Sequence, residues 1–273
     1  MDGNAVFSGF QVGFLRISLA GLALLPFAIK GIKKVKKKEF LPLIIAGVIG
    51  NGGPALLFAI AQTKINSSLA GVLNSLTPFF TLVLGVLFFG VIGSTRKFLG
   101  VLLGLIGAVS LIMSQANYQF DFGNTGGYSL LVVLACLCYA LSVNIIKTYL
   151  QELRPIEITA ISFGFMLIPF IIGAVVTGVP EIIENNPGAM FSLGSIAILG
   201  VVGTALAVIL FNHVIRETSA LTASSVTYLI PIVAVLWGVL DGESFGMVDL
   251  ISSAVIISGV YLVNAKKKLE GVK

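Results

Sequence analysis

Residues 58 to 100 and 211 to 253 echo each other at a constant offset of 153: Phe58, Ala70, Leu76, Pro78, Gly85, Val86, Leu87 and Gly93 fall on Phe211, Ala223, Leu229, Pro231, Gly238, Val239, Leu240 and Gly246. A repeated unit fixes the architecture in which any site must sit. Here the unit consists of apolar runs, and a bilayer core roughly 30 Å thick takes about 20 helical residues per crossing. With 57% hydrophobic and only 11% charged residues, the chain carries more apolar surface than a water-soluble fold can hide. These features predict an all-α membrane protein, a polytopic helical bundle with inverted repeats.

Crossings are expected at 7–30, 40–61, 67–89, 96–115, 127–148, 156–178, 190–211, 220–240 and 247–265, nine in all. The breaks carry Gly, Pro and charged residues, as turns between spans do, and none is long enough for a soluble domain. In a soluble protein a net charge of +5 would suggest nucleic acid. Here the bases sit in short loops, and alternating those loops puts fifteen of the seventeen Lys and Arg on one side, leaving Lys64 opposite and Arg16 inside the first span. The positive-inside rule makes that side cytoplasmic, with the C-terminus inside and the N-terminus of this chain outside. The expected partners are a small-molecule substrate and the lipid bilayer, with no nucleic acid.

Nine spans do not divide evenly between two repeats. Aligning Pro26-Phe27 with Pro169-Phe170, an offset of 143, sets Met1 opposite Asn144. The second unit, 126–265, therefore holds five helices, while the first, 1–115, holds the last four of the same unit and lacks its first helix. A basic tail, 266–273, follows. An odd five-helix unit enters its second copy from the other side of the membrane, which makes the repeats inverted. The segment MDGNAVF has no basic n-region, which argues against a cleaved signal peptide.

The stretch Phe14-Leu15-Arg16, the run Ala70-Gly71-Val72-Leu73-Asn74-Ser75-Leu76-Thr77-Pro78, its partner Ala223-Ser224-Ser225-Val226-Thr227-Tyr228-Leu229-Ile230-Pro231 and the short turn into a Gly-rich span together resemble the EamA-type branch of the drug/metabolite transporter superfamily. The resemblance covers the whole chain apart from the absent first helix. It implies a ten-helix architecture lacking helix one, in an inner-membrane carrier that often exports amino acids or other small metabolites. The family pattern places a Glu at the end of the Pro-bearing span. Glu243 supplies it in the second half, whereas the first half has Gly90.

Arg16 is the fixed positive charge inside a span. An isolated Arg near mid-bilayer costs about 2.5–3.5 kcal/mol on insertion scales, so it is expected to face the bundle interior or a wet cavity, either orienting an anionic group such as a substrate carboxylate or satisfied by helix carbonyls or by snorkelling outward. Asn74, Thr77 and Thr81 recur at i, i+3 and i+7 beside Pro78, and Ser224, Thr227 and Tyr228 stand beside Pro231. Each proline frees a carbonyl one turn earlier, at Asn74 and Thr227, for a substrate amine to use, or else the polar residues hold helices together and the prolines only kink them. Asn51, Tyr139, Asn144 and Trp237 complete the candidate lining.

Gly100, Gly104 and Gly107 form a stripe for close helix packing within the chain or, alternatively, between two copies in a homodimer. Cys136 and Cys138 are expected as core residues, His213 at the surface and Glu157 as an interfacial acid. The absence of GxxxxGK[ST] and HExxH motifs and of an intramembrane acid pair argues against ATP hydrolysis, catalysis and any cofactor or metal. No carboxylate sits clearly in mid-membrane to relay protons, which leaves uniport or exchange of a small zwitterionic or amphipathic metabolite. The alternatives are a non-transporting scaffold or defective remnant, and a membrane enzyme acting on lipid substrates. The second of these needs clustered Asp, His or Arg that the sequence does not offer.

Overall fold

The structure, a computed structural model, describes residues 6–65, 67–115, 122–240 and 246–265. Among them nine helices are long and apolar enough to cross a membrane: α1 Gly9–Ile32, α2 Lys37–Ala61, α3 Leu69–Phe88, α4 Thr95–Ser114, α5 Gly127–Tyr149, α6 Pro155–Val176, α7 Ala189–Glu217, α8 Ala220–Trp237 and α9 Met247–Asn264. The protein is an all-α, multi-pass membrane protein, and every predicted crossing coincides with one of these helices. Glu243, Lys266, Lys267, Lys268 and Lys273 lie outside the described residues.

Two devices recur at the repeat offset. In α2 the helix widens into a π turn at Val48–Gly52, because Pro54 has no N–H to return to the carbonyl of Gly50. In α7 the same turn appears at Val201–Leu206 without a proline. The side chains within them act alike: Asn51 Nδ2 donates to the Ala46 carbonyl at 3.0 Å, and Thr204 Oγ1 to the Leu199 carbonyl at 3.1 Å, each reaching back five residues. The second device is a break before each repeat proline. α3 pauses after Asn74 and resumes at Thr77, and α8 tightens to a 3-10 turn over Val226–Leu229.

Two pairs of repeat-related helices, α1 with α6 and α4 with α9, lie against each other and run antiparallel. Along α1 and α6, a Cβ on Gly21 would lie 3.1 Å from Leu167, one on Gly31 3.3 Å from Ile161, and one on Gly173 2.4 Å from Phe14. Along α4 and α9, Gly100 faces Gly259 and Val263, and Gly107 faces Ile256 and Ser252. The Gly100, Gly104 and Gly107 stripe is thus filled by α9 and by Tyr228 of this same chain. That corrects the alternative of a homodimer built on it, since no free groove is left for a second copy.

A Cβ on Gly104 would sit 2.6 Å from the Tyr228 ring. Gly104→Val is therefore expected to destabilise the chain by about 1–3 kcal/mol, the usual cost of overpacking, read as a lower midpoint of thermal unfolding in detergent. Combining it with Tyr228→Leu should recover part of the loss. An unchanged midpoint for Gly104→Val would show that α4 and the Tyr228 ring of α8 do not pack this closely.

At one end of the bundle the basic loops meet. Glu157 pairs with Lys34 and Arg154, each at 2.8 Å, which seats the expected interfacial acid beside two cations. Glu152 pairs with Lys36 and, at 3.4 Å, with Lys38. The hydrogen bond and charge of Lys36, with smaller contributions from Lys38, hold the Glu152 carboxyl below its ordinary range. Beneath these loops Leu43, Ile146, Leu150, Leu153, Ile158, Ile161 and Ile215 form a closed apolar cluster. His213 is exposed, and Cys136 is buried as a free thiol.

Candidate functional site

Between the helices lies a chamber of about 830 Å³, lined by Gly9, Val12, Gly13 and Arg16 of α1, Ala55, Phe58, Ala59, Gln62 and Thr63 at the end of α2, Asn74 and Thr77 of α3, Tyr139 and Val143 of α5, Phe211 of α7, and Ser224, Thr227 and Ile230 of α8. Gly9, Gln62 and Thr63 are exposed, so its mouth is at the face opposite the basic loops. A second chamber of about 310 Å³ continues toward the basic face, lined among others by Gly50, Asn51, Ser142, Ile146, Gly203, Thr204 and Asn212. Arg16, Tyr139, Val143 and Phe211 line both chambers and form the boundary between them. The apolar cluster around Ile146, Leu150 and Ile215 seals the inner end.

Repeat-equivalent residues meet across this space. Phe58 and Phe211, Asn74 and Thr227, and Thr77 and Ile230 line the outer chamber, and Gly50 and Gly203, and Asn51 and Thr204, line the inner one. Arg16 breaks the symmetry, because the residue that Pro26 and Pro169 set opposite it is Thr159, buried and accepting from Asn212 Nδ2 at 2.9 Å.

Three hydroxyls on the walls donate within their own helices. Thr77 Oγ1 donates to the Asn74 carbonyl at 2.9 Å, Ser224 Oγ to the Leu221 carbonyl at 3.0 Å, and Thr227 Oγ1 to the Ser224 carbonyl at 2.8 Å. Both carbonyls freed by the prolines already have donors: Asn74 receives the Thr77 hydroxyl, and Thr227 receives the Ile230 N–H. The expectation that those carbonyls stand open for a substrate amine is corrected accordingly. Arg16 differs from its neighbours. Its Nε is buried and meets no hydrogen-bond acceptor, an expensive arrangement for a cationic group unless a ligand or water completes it.

The structure brings Arg16, Asn51, Asn74, Thr77, Tyr139, Ser224 and Thr227 to the two chambers and places the other predicted residues elsewhere. Asn144 is buried as a tie between α5 and α3, donating to the carbonyls of Thr81 at 3.1 Å and Ala140 at 2.9 Å. Tyr228 faces away, its hydroxyl donating to the Val101 carbonyl at 3.0 Å. Pro78 and Pro231 are buried beside the helix breaks without touching either chamber. Trp237 is 64% exposed on the outside of the bundle.

Sequence reasoning missed Phe58 and Phe211 as wall residues. Their identical register in the repeat was the signal. The Phe58 and Tyr139 rings lie 6.4 Å apart between centroids, tilted by 41°, and give the outer chamber an aromatic side next to the Arg16 charge.

The profile of the family described as "EamA-like transporter family" matches residues 3–113 and 127–265. An uncharacterized transporter of Archaeoglobus fulgidus is 25% identical over 264 residues, covering 95% of this chain and 90% of its own length. The uncharacterized inner membrane transporter YedA of Escherichia coli K12 is 26% identical, with 93% and 81% covered. An uncharacterized transporter of Clostridium kluyveri is 28% identical, with 97% and 86% covered. A solved crystal structure superposes with a TM-score of 0.74 over 94% of this chain and 88% of that one at 15% identity, a likeness of fold.

Proposed function

Since the chain belongs to the EamA-like transporter family, we propose that it is a secondary carrier, and not an enzyme, that exports small carboxylate-bearing metabolites, amino acids and related compounds among them. The observation that carries this reading is that equivalent residues of the two repeats, Phe58 with Phe211, Asn51 with Thr204 and Asn74 with Thr227, line two adjoining chambers. A cavity shared by two inverted units can open at either face by exchanging their roles, which is the logic of alternating access. With the basic face in the cytoplasm, the cavity is open outward and sealed inward by the cluster around Leu150 and Ile215. Residues 1–115 and 126–265 are the two units, and Arg16 anchors the cargo carboxylate by charge-assisted hydrogen bonds.

Two measurements test this. Purified protein in liposomes should accelerate the efflux of at least one labelled amino acid or related carboxylate over protein-free vesicles. A panel that leaks at the protein-free rate throughout counts against a carrier and favours a scaffold. Orientation is read by cysteine mapping after Cys136 and Cys138 are replaced by Ala. Lys36→Cys should be shielded from an impermeant thiol reagent in intact cells and Lys64→Cys should react. Equal labelling of both would overturn the topology.

A further inference from the structure

Resting on that carrier reading, we propose that the cavity takes a singly negative cargo and that the protein works as an exchanger, because Arg16 leaves the empty cavity charged and the occupied cavity neutral. Arg16 is the one ionised side chain among the described residues lining either chamber, and its buried Nε lacks an acceptor. The neighbouring hydroxyls of Thr77, Ser224 and Thr227 donate into carbonyls of their own helices, so the walls offer no anion of their own. A carboxylate is what a guanidinium without an acceptor binds best. A cationic cargo would share the chamber with a fixed positive charge and no carboxylate to offset either. A zwitterion, such as a neutral amino acid, would pair Arg16 but leave its ammonium without a counter-ion, which narrows the cargo to those carboxylate-bearing metabolites with one net negative charge. A cargo with one net negative charge avoids both penalties.

The transport cycle inherits this asymmetry. To reorient, a carrier passes through an occluded state in which the cavity is cut off from bulk water, and an unpaired guanidinium is penalised there. With the cargo bound, Arg16 and the carboxylate cross that state as a neutral pair. The loaded carrier therefore reorients faster than the empty one, and steady flux needs a second anion for the return step. One-for-one exchange of singly negative cargoes moves no net charge.

The test uses the full chain in liposomes and an isosteric series: labelled 3-phenylpropionate, its amide, and 3-phenylpropylamine. Uptake of the acid should be about tenfold or more faster into vesicles preloaded with unlabelled acid than into empty ones, by the size of the penalty on an unpaired intramembrane Arg. An imposed potassium diffusion potential should not change that exchange, and neither the amide nor the amine should compete. Arg16→Lys should keep the ratio of exchange to net uptake. Arg16→Gln should bring the ratio toward one and admit the amide, with folding checked by thermal unfolding. Equal uptake into loaded and empty vesicles, competition by the amide as strong as by the acid, or no binding of the acid overturns the charge inference. The carrier reading stands or falls separately, on whether any compound of the broader panel leaves faster than from protein-free vesicles.

Discussion

Thr227→Trp is expected to reduce transport at least tenfold while leaving the chain folded. Thr227 is half-buried on the wall of the outer chamber, across from its repeat partner Asn74, and its hydroxyl does no more than return to the Ser224 carbonyl at 2.8 Å. Losing that bond costs about 1 kcal/mol, the usual net contribution of a hydrogen bond. The indole has open cavity to enter, so overpacking is avoided and the unfolding midpoint should move by only a few degrees. The cargo meets a blocked chamber. Asn74→Phe, from the opposite wall, should give the same loss, and Val233→Trp, on the exposed outside of α8, should give none. If both wall variants transport like the unmodified protein, the chamber is not the route.

How far the site could be foreseen follows from what each residue does. The nine helices and their breaks were legible because apolar length and Gly or Pro punctuation report directly on crossing a bilayer. Arg16 was legible because a lone charge in a span must face inward. Tyr228 misled: it stands in the same polar run as Ser224 and Thr227, but one residue on a helix is a turn of about 100°, which carries its ring toward Gly104 and its hydroxyl to Val101. Asn144 was recognised as polar and intramembrane, yet a buried amide serves equally well as a tie between helices. Trp237 gives no sign of which face of α8 it occupies, because an aromatic suits both a cavity and a lipid interface. Phe58 and Phe211 went unmarked because an apolar wall and an apolar core have the same composition. The glycine stripe announces a close crossing without naming its partner, and only the packing of α9 against it decides.

Substituting leucine for Gly50 should prevent folding, whereas the same change at its repeat partner Gly203 should cost less than about 1 kcal/mol, the range of a surface substitution. A Cβ on Gly50 would fall 2.1 Å from Ser142 Oγ on α5, so no side chain fits. On Gly203 it would meet only Leu199 of its own helix, at 3.0 Å. The difference extends along α7, where Leu199, Leu206 and Leu210 are 43%, 47% and 57% exposed, whereas Ala46, the equivalent of Leu199, is 1% exposed and Gly53 and Leu57 are partly covered. In one half α5 covers this face. In the other the face is bare, and the inner chamber beside Gly203 and Thr204 has a thinner wall for it. A helix equivalent to α5 would cover that face of α7, and an apolar helix of about 20 residues fused ahead of α1 tests whether it can. In such a fusion Gly203→Leu should become as damaging as Gly50→Leu, and flux should rise. Thermal unfolding of the four combinations, with flux measured beside it, decides. If Gly203→Leu is harmless in both chains, or the fusion leaves flux unchanged, the exposed face of α7 is no seat for a helix.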